Sequence, residues 1–327
     1  MPSGETSAQA IDGGTPNRLG FAVKAIGKPG LRSNDARRWR NEPHLRVSLG
    51  YLNEIFDHLA AEGIRMYRIS SDIAPYVTHP DMPQFHRQID ECGAELAAIG
   101  ARARGLDLRL SMHPSQYIVL NSPDARIADA AMADFVYHAR FLDALGTDLD
   151  AKIVTHVGGV YGDKPAAMER FAANYERLPE IVRHRLVLEN DEVSYSVAEI
   201  ERVHAMTGIP LVFDILHHRV NREDGRTETE ACAACLRSWP EDQTPKIHYS
   251  TQRATARTPR AGADPETAPP RAGEHDDWID PADFVRFLEA MEGQRRFDAM
   301  LEAKAKDVAL LRLREAILAA GLQARIW

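Results

Sequence analysis

The chain predicts an α/β fold, a single (β/α)8 TIM barrel, on three observations. Short apolar runs alternate with amphipathic helical patterns, eight runs can be counted, and 327 residues suits such a barrel. A doubly wound parallel sheet is the alternative reading of the same alternation.

Residues 1 to 15 are rich in Ser, Gly, Thr and Pro without periodicity and predict a disordered tail, leaving 16 to 327 for the barrel. The predicted strands are "RLGFAV" (18 to 23), "IRMYRIS" (64 to 70), "LDLRLSM" (106 to 112), "AKIVTHV" (151 to 157), "RLVLEN" (185 to 190), "PLVFDI" (210 to 215), "PKIHYS" (245 to 250) and "RFDAMLEA" (296 to 303). Helical spacing covers 47 to 62, 84 to 104, 124 to 145, 165 to 183, 196 to 207, 227 to 238, 281 to 293 and 305 to 320. Asp280 before Pro281 is a start signal, and Gly208 followed by Pro210 is a stop. Residues 252 to 273 hold four Pro and four Arg and predict a long loop after the seventh strand.

Composition narrows the function classes. No apolar run approaches the roughly 18 to 20 residues needed to span a bilayer, and no charged start precedes an apolar block. The expectation is a cytoplasmic protein, nuclear in a eukaryotic host, acting as a monomer. Three cysteines make an odd count that suits a reducing compartment, and Cys232 and Cys235 read as two small helix residues. A net charge of -8 argues against indiscriminate coating of DNA. Between Lys24 and Val47, however, seven Lys and Arg, including Arg32, Arg37, Arg38 and Arg40, face only Asp35 and Glu42.

In a barrel of this class the site forms at the carboxyl ends of the strands. The third strand runs into His113, the fourth ends on His156, the fifth on Glu189, the sixth on Asp214 and His217, the seventh carries Lys246 and His248, and the eighth ends on Glu302. His275 follows from the long loop. One such residue has a bland structural explanation; six consecutive strands repeating the event do not. Carboxylates and imidazoles gathered in one place need a charge among them, which divalent ions supply. The donors exceed one tetrahedral site, contain no thiolate, and suit Zn or Mn; Glu189 and Glu302 can bridge ions. Clusters of two or three ions serve phosphodiester hydrolysis. Asp214 and His217, three apart, are expected to reach different ions, with His218 pointing elsewhere.

The motifs "RLGF", "YRISSDIAP" with "THP", "LSMHPSQY", "THVGGVYGDK", "LVLENDE", "FDILHH", "KIHYS" and "LEAKAKD", in this order over roughly residues 17 to 310, resemble the UV damage endonuclease family, which is related in fold to endonuclease IV. The resemblance implies a TIM barrel with up to three divalent ions, Mn favoured over Zn or Mg, that nicks UV-damaged double-stranded DNA 5′ of the photoproduct and leaves a 3′ hydroxyl and a 5′ phosphate. It places metal ligands at His113, His156, Glu189, Asp214, His217, His248, His275 and Glu302. Lys246 matches a lysine that is carboxylated in the family, so Glu189, Glu302 and Lys246 are the expected catalytic residues. Gln116 and Tyr117 match a pair inserted into the duplex at the lesion, and His79 a histidine near the site with a ligand or phosphate role left open.

The chain departs from the family at Phe21, where Tyr is frequent, and at Ser115, where Gly is common. On the barrel, the basic loop after the first strand emerges on the metal face, so Arg32, Arg37, Arg38 and Arg40 are expected to contact DNA phosphate. An abasic-site nuclease like endonuclease IV, a metal-dependent sugar isomerase or epimerase, and a lesion binder without chemistry are the competing readings.

Overall fold

The computed structural model describes residues 17 to 222, 225 to 255 and 269 to 322. Eight strands, β1 (Leu19–Ala22), β2 (Met66–Arg68), β3 (Arg109–Met112), β4 (Lys152–Thr155), β5 (Leu186–Glu189), β6 (Leu211–Asp214), β7 (Lys246–Tyr249) and β8 (Asp298–Leu301), pair in sequence order. All pairings are parallel, and β1 against β8 closes the barrel. The helices are α1 (Leu45–Ala61), α2 (Gln88–Glu91), α3 (Gly93–Gly105), α4 (Ala125–Ala144), α5 (Lys164–Glu176), α6 (Glu180–Arg183), α7 (Val197–Thr207), α8 (Ile215–Val220), α9 (Glu228–Arg237), α10 (Pro281–Ala290) and α11 (Lys306–Ala319). Among the described residues no helix is long and apolar enough to cross a membrane.

Successive strand residues point to opposite faces, so each strand sends alternate side chains into the barrel and the others against the helices. Leu211 and Phe213 of β6, Ile247 and Tyr249 of β7 and Ala299 and Leu301 of β8 join the large core shared with the helices. Their neighbours fill the interior in layers. At the amino ends Arg109 Nη1 meets Asp298 Oδ2 at 2.8 Å beside the buried Lys152. The middle holds Val154, Val187 and Val212 against Trp239, and Ala22, Met66 and Met300. Gly20 makes that filling possible, because a Cβ there would come within 2.6 Å of Met66 Cγ. With the apolar middle packed between them, the charged layer at the amino ends is separated from a second polar layer at the carboxyl ends.

Two predicted helices are broken. The pattern at 84 to 104 divides into a 3-10 turn at Pro83–Phe85, then α2 and α3, because the backbone leaves helical geometry at Cys92 (φ -111, ψ 19) just before Gly93. The pattern at 165 to 183 divides into α5 and α6, with Pro179 capping α6; proline cannot donate its missing N–H within a helix. Cys232 and Cys235 both lie buried on α9, where burial pushes the thiols up from their ordinary value. The tail at 1 to 15 lies outside the described residues, as does most of the 252 to 273 loop.

Candidate metal centre

Glu189 sits at the centre of the polar layer. Its Oε1 is 2.6 Å from His248 Nδ1 and 3.8 Å from His217 Nδ1; its Oε2 is 3.2 Å from His113 Nε2 and 3.6 Å from His156 Nε2. Donor atoms of His113, His156 and Glu189 form one group within 4.8 Å of one another, and those of Glu189, Asp214, His248 and Glu302 a second. Glu189 belongs to both, which is what a bridging carboxylate requires.

Backbone carbonyls orient three of the imidazoles. His113 Nδ1 is 3.0 Å from Pro114 O, His217 Nδ1 2.9 Å from Asn190 O, and His275 Nδ1 2.8 Å from Glu302 O. When Nδ1 donates in this way, Nε2 is left to offer its lone pair, an arrangement that metal-binding histidines use. Asn190 also ties β5 to β6: its amide donates to Asp214 O at 3.0 Å and its Oδ1 accepts from Asp214 N at 2.8 Å. Asp214 then caps α8, accepting from His217 N at 2.8 Å, so the strand passes directly into a helical turn that aims both residues at the layer. His218, on the other side of that turn, packs on Phe213 and lies 3.3 Å from Arg226 O.

His275 reaches the site because the base of its loop is cinched. Gln252 and His275 form an antiparallel bridge, Arg253 N donates to Glu274 O at 2.7 Å, and Asp276 N donates to Thr251 O at 2.8 Å. The His275 ring stands 6.2 Å from that of His217, and its Nδ1 lies 3.8 Å from Glu302 Oε2.

Two buried carboxylates, Glu189 and Asp214, and the partly buried Glu302 are costly to hold together, at several kcal/mol per uncompensated buried charge. Burial, then Glu302 and Asp214, push the Glu189 carboxyl well above its usual range. Burial also lowers His113, His156 and His248, keeping those rings neutral. For His217 burial acts downward, but Asp214, Glu189, Glu192 and Glu302 together push it up to about 10. Glu302, against the opposing effect of burial, is held well below its usual range by Arg68 and the neighbouring imidazoles. Asp214 Oδ2, His156 Nδ1 and Lys246 Nζ are buried without a hydrogen-bond partner among the described residues. Unpaired buried acceptors beside oriented imidazoles fit divalent cations.

Lys246, two before His248 on β7, points into the same interior; burial and then Arg68 and Arg109 lower its amine well below the usual lysine value. Gln116 and Tyr117 are exposed on the loop after β3, Tyr117 by 79%. His79 stands apart from both donor groups: its Nδ1 accepts from Asp81 N at 3.2 Å and its ring meets Tyr76 edge-on. On the basic loop, Arg38 and Arg40 are exposed, with Arg40 over Trp39, and Arg32 lies over Tyr51. Arg37 is engaged by Asp35, at 2.8 Å through Nε and 2.6 Å through Nη2. This loop walls a recess of about 530 Å³ that includes Lys24, Asn34 and Tyr51.

Sequence reasoning missed Arg68 and Lys306. Arg68, 7% exposed, lies 2.5 Å from Glu302 Oε1 and 2.7 Å from His248 Nε2. Lys306, at the start of α11, is half-buried and is lowered by burial while the charges of Glu302, Arg68 and Lys24 act on it.

Comparison with known proteins gives the family. A family model described as UV-endonuclease UvdE matches residues 46–323. A UV DNA damage endonuclease of Bacillus velezensis is 36% identical over 263 residues, 79% of this chain and 76% of that protein. One of Bacillus cereus is 34% identical over 274 residues, 82% of this chain and 80% of the relative. The crystal structure of SacUVDE superposes with a TM-score of 0.77 at 28% identity, covering 93% of this chain and 99% of that one. An L-ribulose 3-epimerase shares the fold at 14% identity, with a TM-score of 0.59 over 95% of this chain and 96% of that one.

Proposed function

Because the chain belongs to the UV-endonuclease UvdE family, we propose that it is a metal-dependent DNA repair endonuclease that hydrolyses the phosphodiester 5′ of a UV photoproduct, leaving a 3′ hydroxyl and a 5′ phosphate. The observation that carries this reading is the buried donor set converging on Glu189 at the open end of the barrel. His113, His156, Glu189, Asp214, His217, His248, His275 and Glu302 would hold up to three divalent ions, with Mn favoured. Bound there, such ions supply an activated water and charge stabilisation at the leaving oxygen.

The chain's own residues do the rest. Glu189 and Glu302 bring negative charge between the imidazoles. Backbone carbonyls beside Nδ1 would hold His113, His217 and His275 with Nε2 toward the ions once the rings are neutral. Lys246, as a carboxylated amine, would add an acceptor to a wall already rich in Arg68 and Arg109; as a plain amine it would face the phosphate. Tyr117, which is exposed, and Gln116 beside it would fill the gap left by an unstacked photodimer. Arg32, Arg38 and Arg40 would track the phosphates, Arg37 would shape the loop through Asp35 as well as add charge, and His79 would stand at the margin as a phosphate contact.

The test is nicking of UV-irradiated, untreated and abasic duplexes with added Mn and with EDTA. Cleavage confined to the irradiated duplex and abolished by EDTA is expected. Equal nicking of treated and untreated DNA, or preference for the abasic duplex, overturns the lesion assignment.

A further inference from the structure

Among the described residues six non-glycines have positive φ, and five of them, Val23, Glu42, Tyr76, Tyr161 and Lys306, follow the carboxyl ends of the strands, the last as the first residue of α11. Strain in bulky residues gathers where function requires it. Tyr161 is the most informative of the five. It has φ 52 and is 47% exposed, whereas a ring of that size is ordinarily covered.

Its position is tightly specified. The ring lies on Gly159, where a Cβ would come within 2.9 Å of Cε2 and Cζ, and the Arg170 guanidinium of α5 stands 5.5 Å from its centroid. Gly159 O accepts from Asn121 Nδ2 at 2.7 Å and from Tyr195 Oη at 3.0 Å. Arg170 Nε donates to Asn121 O at 3.0 Å. Asn121 also packs so closely on Gly158 that a Cβ there would meet its Oδ1 at 2.4 Å, and no side chain would fit. These bonds join the loop after β3, which carries Gln116 and Tyr117, to the loop after β4, which carries Tyr161. His113 and His156 face each other with ring centroids 5.3 Å apart, and each is followed within five residues by an exposed tyrosine.

We infer that Tyr161 is a second nucleobase-stacking residue, a fixed platform on which an unpaired base beside the lesion rests while Tyr117 enters the duplex. The inference rests on the reading of the chain as a nuclease of damaged DNA and adds to it a nucleobase-binding residue. A half-exposed ring held rigid on a bonded loop suits this role, because stacking accepts any base and gains from a ring that need not be ordered on binding.

The experiment compares the metal-loaded parent with Tyr161→Gly, which removes the ring and relieves the positive φ, and Tyr161→Phe, which keeps the ring. Two probes carry 2-aminopurine: a photodimer duplex blocked at the scissile linkage by a methylphosphonate, and a single-stranded oligonucleotide. Tyr161→Gly, with metal content equal to the parent, is expected to lose the fluorescence quench on both probes and roughly tenfold in affinity, the loss of one stack; Tyr161→Phe is expected to keep both. Parental quench and affinity in Tyr161→Gly overturn the inference, as does a defect in Tyr161→Phe equal to that of Tyr161→Gly. A parent that ignores the photodimer, yet loses single-strand quench in Tyr161→Gly, overturns the lesion reading and supports the platform.

Discussion

Arg68 and Glu302 meet at 2.5 Å, Nη1 to Oε1, while the same guanidinium lies 2.7 Å from His248 Nε2 through Nη2. A cation supplied by the chain therefore occupies atoms that a divalent ion would also claim. Removing it leaves buried carboxylates without their counter-charge, a loss on the order of 3 to 5 kcal/mol when one partner of a buried pair is deleted. Arg68→Met is expected to unfold at a lower temperature in EDTA and to gain more from added Mn than the parent does. Thermal unfolding in both conditions checks this; equal Mn-induced shifts in the two proteins would show that the guanidinium and the ions do not compete.

Metal loading should release protons. His217, raised to about 10 by its surrounding carboxylates despite burial, is protonated at pH 8 and must become neutral to ligate. His113, His156 and His248 are already held below the ordinary histidine value and add none. Apparent affinity for Mn is expected to rise with pH up to about 10. In the metal-free chain the raised folded-state value stabilises fully below about 6.5, and that contribution is lost as pH climbs through about 10. Calorimetric titration in buffers of different ionisation enthalpy measures the release; heats independent of buffer would refute it.

Asp307 of α11 accepts from Ile26 N at 2.8 Å and Gly27 N at 3.0 Å, and its Oδ2 lies 2.8 Å from His58 Nε2 of α1. This buried carboxylate fixes where the basic loop leaves the barrel. Asp307→Ala is expected to weaken duplex binding by roughly tenfold and to flatten the dependence of log affinity on log salt, because fewer phosphates are met at once. Metal content should stay at the parental level. A salt dependence as steep as the parent's would show that the tether does not set the phosphate contacts.

Much of this architecture was legible in the sequence, for identifiable reasons. Each strand is an apolar run bounded by breakers, and two-residue alternation places His248 beside Lys246 and Asp214 beside Val212 on the interior face. Recurrence of donors on strands three to eight pointed to the centre before any distance was known. Arg68 was not legible, because a lone charge within "YRISS" reads as a residue facing solvent. Its burial arises only from closure of the barrel, which carries β8 and β7 around to it. Lys306 was hidden similarly, in a run of alternating charges at a helix start. The helical spacing at 165 to 183 runs across Pro179, although the proline marks the break, and that at 84 to 104 runs across Cys92.

The most direct test uses a duplex with a single thymine photodimer, the parent and Glu189→Gln, and product ends mapped at nucleotide resolution. One cut immediately 5′ of the dimer with a 3′ hydroxyl is expected, present with Mn and absent with EDTA. Glu189→Gln, stripped of the charge shared by both donor groups, should bind the duplex and fail to cut it. Cleavage that persists in EDTA, or in Glu189→Gln at the parental rate, would show that metal ions held around Glu189 do not carry the reaction.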